Sequence, residues 1–316
     1  MSTAERATSL VVGARGLLGR AVLQESAARG AIVVPARVRW SDPDDAAKDL
    51  SAALDEARTT GAGPLRILWC AGAGVTATPQ EVLDAELAVF DSFLDVVARM
   101  GAEDRSRTTF FYASSAGGVY AGASEPPFSE ATSPSPLAPY GHAKLQAEAA
   151  LARLSDVDVH VLIGRIANIY GPGQDLGKPQ GLISQLCLAH HTARPIGVYV
   201  SLDTLRDYVF VDDCAAMIMD MVERREQLVD DSGPVIKIIA SQQSVSIAML
   251  LGEMRRIFKR APRVVLASSP HARQQARDLR FRSTIWPEID RRVFRTLASG
   301  VAVTDEDIGL RVRSAK

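Results

Sequence analysis

Tyr140 and Lys144 stand four residues apart in a stretch with the composition of a helix. Residues i and i+4 share a helix face, so the phenol and the ammonium can act together. A phenol titrates near pH 10 and is a poor acid–base group at neutrality. A nearby lysine cation favours the phenolate and moves the group toward a working range. The spacing Tyr-x-x-x-Lys arises often by chance, so a third group must support it. Phe110-Phe111-Tyr112-Ala113-Ser114-Ser115 supplies one at the end of an apolar, strand-like run. A serine there can hydrogen-bond a reacting carbonyl or hydroxyl oxygen and share its proton with Tyr140. Ser115 is the first candidate for that position and Ser114 the second.

A second constellation lies near the N-terminus, where Gly13-Ala14-Arg15-Gly16-Leu17-Leu18-Gly19 joins a short apolar run to a helical pattern. Glycines at such a junction let the backbone turn sharply and approach a pyrophosphate, with the helix N-terminus offering free N–H groups. The spacing is GxxGxxG rather than the commoner GxGxxG, and its position at the first strand–helix turn carries the dinucleotide reading. The next strand should be followed by Asp or Glu if a free ribose 2′-hydroxyl is bound. Here it is followed by Arg37 and Arg39, which suit a 2′-phosphate by charge and fork geometry. Arg15, inside the turn, adds to them. NADP(H) is therefore expected, with NAD(H) the alternative if Asp42 reaches the ribose instead. Ala71-Gly72-Ala73, after a third strand, is expected to line the same cofactor site together with Tyr140 and Lys144.

These side chains need a frame. Apolar runs predict strands at Ser9–Val12, Ala31–Val34, Leu65–Cys70, Thr108–Ala113 and Val157–Leu162. Helical patterns follow Leu17, span Leu50–Ala57, run from about Pro79 to Met100, and extend from Tyr140 to Leu154. The second-last of these carries Leu83, Leu87, Phe90, Phe93, Leu94 and Val97 on one face. Strands alternating with helices imply an α/β fold, a doubly wound parallel-sheet Rossmann domain. After Asn168 the alternation loosens, and a smaller C-terminal substrate domain is expected. The division is 1–167 and 204–241 for the cofactor domain, and 168–203 and 242–316 for the substrate domain.

With the glycine turn, Ser114-Ser115…Val119-Tyr120 and Tyr140-xxx-Lys144 in place, the chain resembles the extended short-chain dehydrogenase/reductases. This is the NAD-dependent epimerase/dehydratase family that modifies nucleotide-linked sugars. Arg165-Ile-Ala-Asn168-Ile-Tyr170-Gly171-Pro172-Gly173 is similar to its RxxNxYGPG loop, and Arg206-Asp207-Tyr208-Val209-Phe210-Val211-Asp212-Asp213 to its RDYxxVxD segment. The resemblance implies substrate contacts at Asn168 and Arg206, the latter toward a diphosphate, and a homodimer through the two long helices. It leaves Asp207, Asp212 and Asp213 as caps or ion pairs, and Tyr120 and Tyr170 as packing residues.

The sequence departs from the family where it most matters. The serine or threonine is often four residues before the tyrosine of the Val-Tyr pair, and Ala116 holds that position. The dehydratase branch places an Asp-Glu pair where this chain has Ala116, Gly117 and Gly118. Without a carboxyl acid and base, elimination of water has no agent. The expectation is an NADPH-linked ketoreductase acting on a nucleotide-linked deoxysugar. An NAD-retaining 4-epimerase is the alternative, and a non-catalytic cofactor sensor the third reading.

Bulk properties fit. The 316 residues carry a formal charge of −1 with 47% hydrophobic residues, which points neither to nucleic acid nor to a membrane as partner. No apolar run approaches the roughly 18 residues of a membrane helix. The polar start, Met1–Thr8, leaves no room for a signal peptide. Cys70, Cys187 and Cys214 are scattered and form no CxxC, so a reducing cytoplasm is expected. His190-His191 lacks a partner at metal-ligand spacing, so no metal site is expected. The arginines from Arg255 to Arg295 are expected to be solvated surface.

Overall fold

The computed structural model describes residues 6–177, 181–228, 233–267 and 276–314. The first five residues of the polar N-terminal segment lie outside that set. The strands are β1 Thr8–Val12, β2 Ile32–Pro35, β3 Leu65–Trp69, β4 Thr108–Ser115, β5 His160–Ile166, β6 Asn168–Tyr170, β7 Ile196–Val198, β8 Leu205–Arg206, β9 Tyr208–Phe210, β10 Val235–Ile239, β11 Val245–Ser246, β12 Val264–Leu266 and β13 Asp278–Leu279. The helices are α1 Leu17–Ala28, α2 Pro43–Thr60, α3 Gln80–Ala98, α4 Ala102–Ser106, α5 Ala116–Val119, α6 Pro139–Ala150, α7 Ala152–Ser155, α8 Leu182–Thr192, α9 Val211–Glu226, α10 Ile247–Phe258, α11 Pro287–Asp290 and α12 Leu297–Ser314.

Six strands form one parallel sheet in the order β10-β5-β4-β3-β1-β2. β1 lies between β2 and β3, so the chain reverses its direction of winding there. Ligands of open α/β sheets bind beyond the carboxyl ends of strands at such a switch point. β1, β3 and most of β4 are buried along their length, because helices cover both faces. One face buries Leu10, Ile67, Phe110 and Tyr112 against Leu54 of α2, Phe90 and Phe93 of α3 and Ala147 of α6. The other buries Val11, Leu68 and Phe111 with Val22 of α1 and Ile218 of α9. That second core continues without a break into Leu186 of α8, Leu250 of α10 and Ile308 of α12.

The smaller strands pair as β11-β8-β13, β12-β7 and β6-β9. α2 begins seven residues before the predicted Leu50, because Asp42 caps it: its side chain accepts from Asp45 N, and Pro43 occupies the first turn. The predicted Tyr140–Leu154 helix divides into α6 and α7 at Leu151.

Candidate active site

A cleft of about 540 Å³ opens at the switch point. Its walls include the glycine turn (Gly13, Arg15, Gly16), the Cys70–Ala73 loop after β3, Glu86 on α3, and Tyr112, Tyr140 and Lys144. The turn has the shape a dinucleotide needs. Gly13 has φ +86° and a β-carbon there would stand 2.7 Å from Ala71 N, while one on Gly19 would collide with the Gly13 carbonyl. Gly16 caps α1 without a side chain, and no acidic residue stands in the first turn. The turn therefore presents uncapped N–H groups and the positive helix end to the cleft. Leu17 and Leu18 begin α1 behind it, and Leu18 packs into the core.

On α6, Tyr140 and Lys144 project into the cleft together. Lys144 Nζ donates to Tyr112 Oη at 3.2 Å and to the Ala113 carbonyl at 3.0 Å. It lies 5.7 Å from the Tyr140 ring centre. Burial works against its charge, but Tyr112, Tyr140 and Glu86 outweigh it and hold Lys144 above its ordinary value. Tyr112, on the other hand, is pushed up by burial, which the lysine only partly offsets.

The two serines are separated by the strand's alternation. Ser114 shares its face with Phe110 and Tyr112. Its hydroxyl donates to Glu148 Oε1 at 2.5 Å, and Glu148 pairs with Arg165 at 2.7 Å. Arg165 donates in turn to Tyr120 Oη at 2.6 Å. Ser115 instead caps α5, accepting from Gly118 N at 3.2 Å, and flanks the same Gly118 α-carbon as the Tyr140 ring. Ala116 is fully buried.

Arg39 does not serve the cleft. Its guanidinium is taken by Asp49 and Asp45, each at 2.8 Å, and the side-chain and backbone hydrogen bonds that Arg39 donates to Asp49 hold that carboxyl down at about 2. Beyond β2 the alternate residues Ala36, Val38 and Trp40 line the cleft, whereas Arg37 and Arg39 are exposed and absent from its walls. Side chains of an extended segment alternate in direction, and this register sends the arginines outward. Asp42 is spent on capping α2. Arg15 is the cation that remains on the wall at this end.

Asn168 and Arg206 lie outside these walls. Asn168 follows two residues after Ile166, the register partner of Ser115, and donates to the Asp207 carbonyl at 3.0 Å. Arg206 is buried and makes no ion pair among the described residues; it donates to the Leu205 carbonyl at 2.9 Å. Burial pulls its guanidinium below its ordinary value, against the opposing pull of Tyr208 and Asp278. Asp207 accepts from Ser241 N at 2.8 Å, and Asp213 from Arg295 N at 2.8 Å.

Of the C-terminal arginines, Arg255, Arg256, Arg260, Arg263, Arg291 and Arg295 are exposed as expected, and Arg292 is partly covered, pairing with Asp220 at 3.2 Å. One expectation about the periphery changes. Asp305 comes to His190 and His191, giving three ligand-type atoms within 4.8 Å of one another. His191 pairs with Asp305 at 3.0 Å, while Arg260 donates to His190 Nδ1 at 3.1 Å.

Residues 9–233 match the family model described as the NAD dependent epimerase/dehydratase family. The chain belongs to that family. Among curated proteins it is 33% identical over 113 residues to the dTDP-4-dehydro-6-deoxyglucose reductase of Escherichia coli, a stretch that is 35% of either chain. It is 30% identical over 131 residues to the UDP-glucose 4-epimerase of Mycolicibacterium smegmatis, covering 39% of this chain and 41% of that one. These matches thus span well under half of each relative's length. Among solved structures, MoeE5 in complex with UDP-glucuronic acid and NAD superposes with a TM-score of 0.78 at 20% identity, covering 98% of this chain and 100% of that one. That likeness establishes the fold. No helix among the described residues is long and apolar enough to cross a membrane.

Glu86, Tyr112, Trp40 and Glu148 are the site residues that motif reading passed over. Tyr112 was within reach, since period two aligns it with Phe110 on the face toward α3 and α6. Glu86, Trp40 and Glu148 belong to no fingerprint, and only the packing of α3, the β2 extension and α6 brings them to the site.

Proposed function

We propose that this family member is an NADPH-linked ketoreductase acting on a nucleotide-linked deoxysugar. The observation that carries the reading is that Tyr140 and Lys144 enter together a cleft walled by the glycine turn, with Ser115 beside the Tyr140 ring across Gly118. The dinucleotide, when bound, supplies the hydride. Gly13, Gly16 and Gly19 admit its pyrophosphate, and Gly72 and Ala73 form the opposite wall. Tyr140 gives its phenolic proton to the substrate oxygen. Lys144 holds its positive charge 5.7 Å from the centre of that ring, beside the oxygen that gives up the proton. Ser115 hydrogen-bonds the same oxygen and fixes it in line with Tyr140. Arg206 takes the substrate's diphosphate, and Asn168 orients the sugar.

Ala116-Gly117-Gly118 offers no carboxyl group, which argues against a dehydratase. Arg15 supports the 2′-phosphate, now without Arg39. The loss of Arg39 favours a second reading, an NAD-retaining 4-epimerase on a nucleotide sugar. The relatives above include both a reductase and an epimerase.

The cofactor unit is assigned to 1–167 and 204–241, supported by β10 closing the six-stranded sheet, and the substrate unit to 168–203 and 242–316. The reading includes a homodimer through the outer faces of α3 and α6, where Ala88 and Ala149 are exposed. Three free cysteines accord with a cytoplasmic setting.

Titration calorimetry with NADPH and NADH, after checking the purified protein's absorbance for bound cofactor, tests this. Empty protein that prefers NADPH supports the reductase; tightly retained NAD moves the assignment to the epimerase. Tyr140→Phe should abolish turnover and leave cofactor affinity intact, and surviving turnover would sink the proton relay.

A further inference from the structure

Three charged side chains line the cleft, and they are not mixed along it. Arg15 belongs to the glycine turn. Glu86 and Lys144 belong to the other end, beside Tyr140. Glu86 is the carboxylate of the cleft wall. Its Oε1 accepts from Ala73 N at 2.8 Å, which ties α3 to the loop after β3. It makes no ion pair within 4.0 Å among the described residues, and the one cation sharing its end of the cleft, Lys144, already donates to Tyr112 and Ala113. With no cation in contact among the described residues, the charge of Glu86 acts on the cleft that it lines.

A nicotinamide dinucleotide has a matching pattern of charge. Its phosphates are negative, and its ring is neutral when reduced and cationic when oxidised. We infer that Glu86 is a positioning and electrostatic residue that holds the Ala71–Gly74 loop against α3 and selectively stabilises the oxidised, cationic form of the cofactor. This rests on the cofactor reading of the cleft given above. In a reductase the effect favours reaction, because positive charge develops on the ring as the substrate is reduced. The field of Glu86 on Lys144, which helps hold that ammonium charged, is a second consequence of the same placement.

The geometric and electrostatic roles are separable. Glu86→Gln keeps an oxygen that can accept from Ala73 N and removes the charge. Glu86→Asp keeps the charge and shortens the reach. The experiment is titration calorimetry of nucleotide-free protein with the oxidised and the reduced dinucleotide, for wild type and both variants at one pH. In Glu86→Gln the ratio of oxidised to reduced Kd should rise by about tenfold, the order expected for one charge acting across a partly solvated cleft. The reduced form should bind about as in wild type. Glu86→Asp should stay near the wild-type ratio, even where both affinities fall together. An unchanged ratio in Glu86→Gln, with wild type binding both forms, overturns the inference and spares the cofactor reading. Failure of wild type to bind either dinucleotide overturns both.

Discussion

Gly118 and Tyr140 are packed so closely that a β-carbon on the glycine would stand 3.0 Å from Tyr140 Cε1 and 3.1 Å from Cδ1. The same atom would lie 3.4 Å from Ser115 Oγ. The missing side chain is therefore what lets the phenol ring and the serine hydroxyl approach each other over Gly118. Gly118→Ala should push the ring outward and lengthen the relay. Displacements of about 1 Å can cost on the order of a hundredfold in rate. A fall in kcat of at least about tenfold is expected, with dinucleotide Kd little changed, because the glycine turn lies elsewhere. Overpacking should also cost about 1–3 kcal/mol in stability. Steady-state kinetics beside calorimetry would check it, and an unaltered kcat would separate Gly118 from the chemistry.

Five of the six sheet strands were legible as apolar runs, since parallel strands need no alternation, but the fifth runs His160–Ile166 instead of starting at Val157, and β10, with Lys237 at its centre, was not expected. The helix through Leu83, Phe90, Phe93 and Val97 was legible too, since its period matched its burial. What the motifs could not convey was direction. Arg37 and Arg39 stood at the expected distance after β2, but distance along a chain does not say which side a residue faces. A one-residue offset in an extended segment reverses it, and here it puts Trp40 on the cleft and Arg39 on Asp45 and Asp49. Ser114 and Ser115 posed the same problem, since alternation alone turns Ser114 toward the buried Glu148 and Ser115 the other way. Asp305 was invisible beside His190 for a different reason: its helix, α12, is remote in sequence and meets α8 only in the fold.

Arg15 and Arg39 should respond differently to removal. Arg15 lines the cleft, and a charge-assisted contact to phosphate is worth roughly twice a neutral hydrogen bond. Arg15→Ala should weaken NADPH by about tenfold or more and leave NADH within about twofold. Arg39→Ala should change neither, because its guanidinium is held by Asp49 and Asp45. Isotherms of wild type and both variants with each cofactor decide this. A selective loss of NADPH affinity in Arg39→Ala would mean that the arginine leaves its carboxylates when cofactor binds.

Below the active site, Glu148 joins three elements at once. It accepts from Ser114 on β4 and pairs with Arg165 on β5, while belonging to the helix that carries Tyr140 and Lys144. Both partners of the ion pair are almost wholly buried, at 5% and 6% side-chain exposure. Removing one member leaves the other as an uncompensated buried charge, which costs about 3–5 kcal/mol. Arg165→Leu should lower unfolding stability in urea by that order, and Ser114→Ala by about 1–3 kcal/mol. Ser114→Ala should keep most of its turnover, whereas Ser115→Ala should lose about a hundredfold or more. The reverse ranking of the two serines would exchange their roles.

Asp207 gives the fold a pH dependence opposite in sign to that of a salt-bridged carboxylate. It is fully buried, and its Oδ2 has no hydrogen-bond partner among the described residues, while Oδ1 accepts from Ser241 N and Oγ. Burial pushes its carboxyl up to about 6 from the ordinary value of 3.8, against the opposing pull of the Ser241 contacts. Below about pH 4 both the folded and the unfolded chain hold the proton. Between about 4 and 6 the folded chain retains a proton that the unfolded chain has lost, so stability falls as pH rises through this window. The full difference, about 3 kcal/mol, is reached above about pH 6. Asp207→Asn removes the titration while keeping an acceptor for Ser241. Urea unfolding of both proteins from about pH 4 to 7 should show wild type losing stability relative to the variant as pH rises. Parallel profiles would mean that Asp207 is ionised in the native state throughout, with a donor reaching Oδ2.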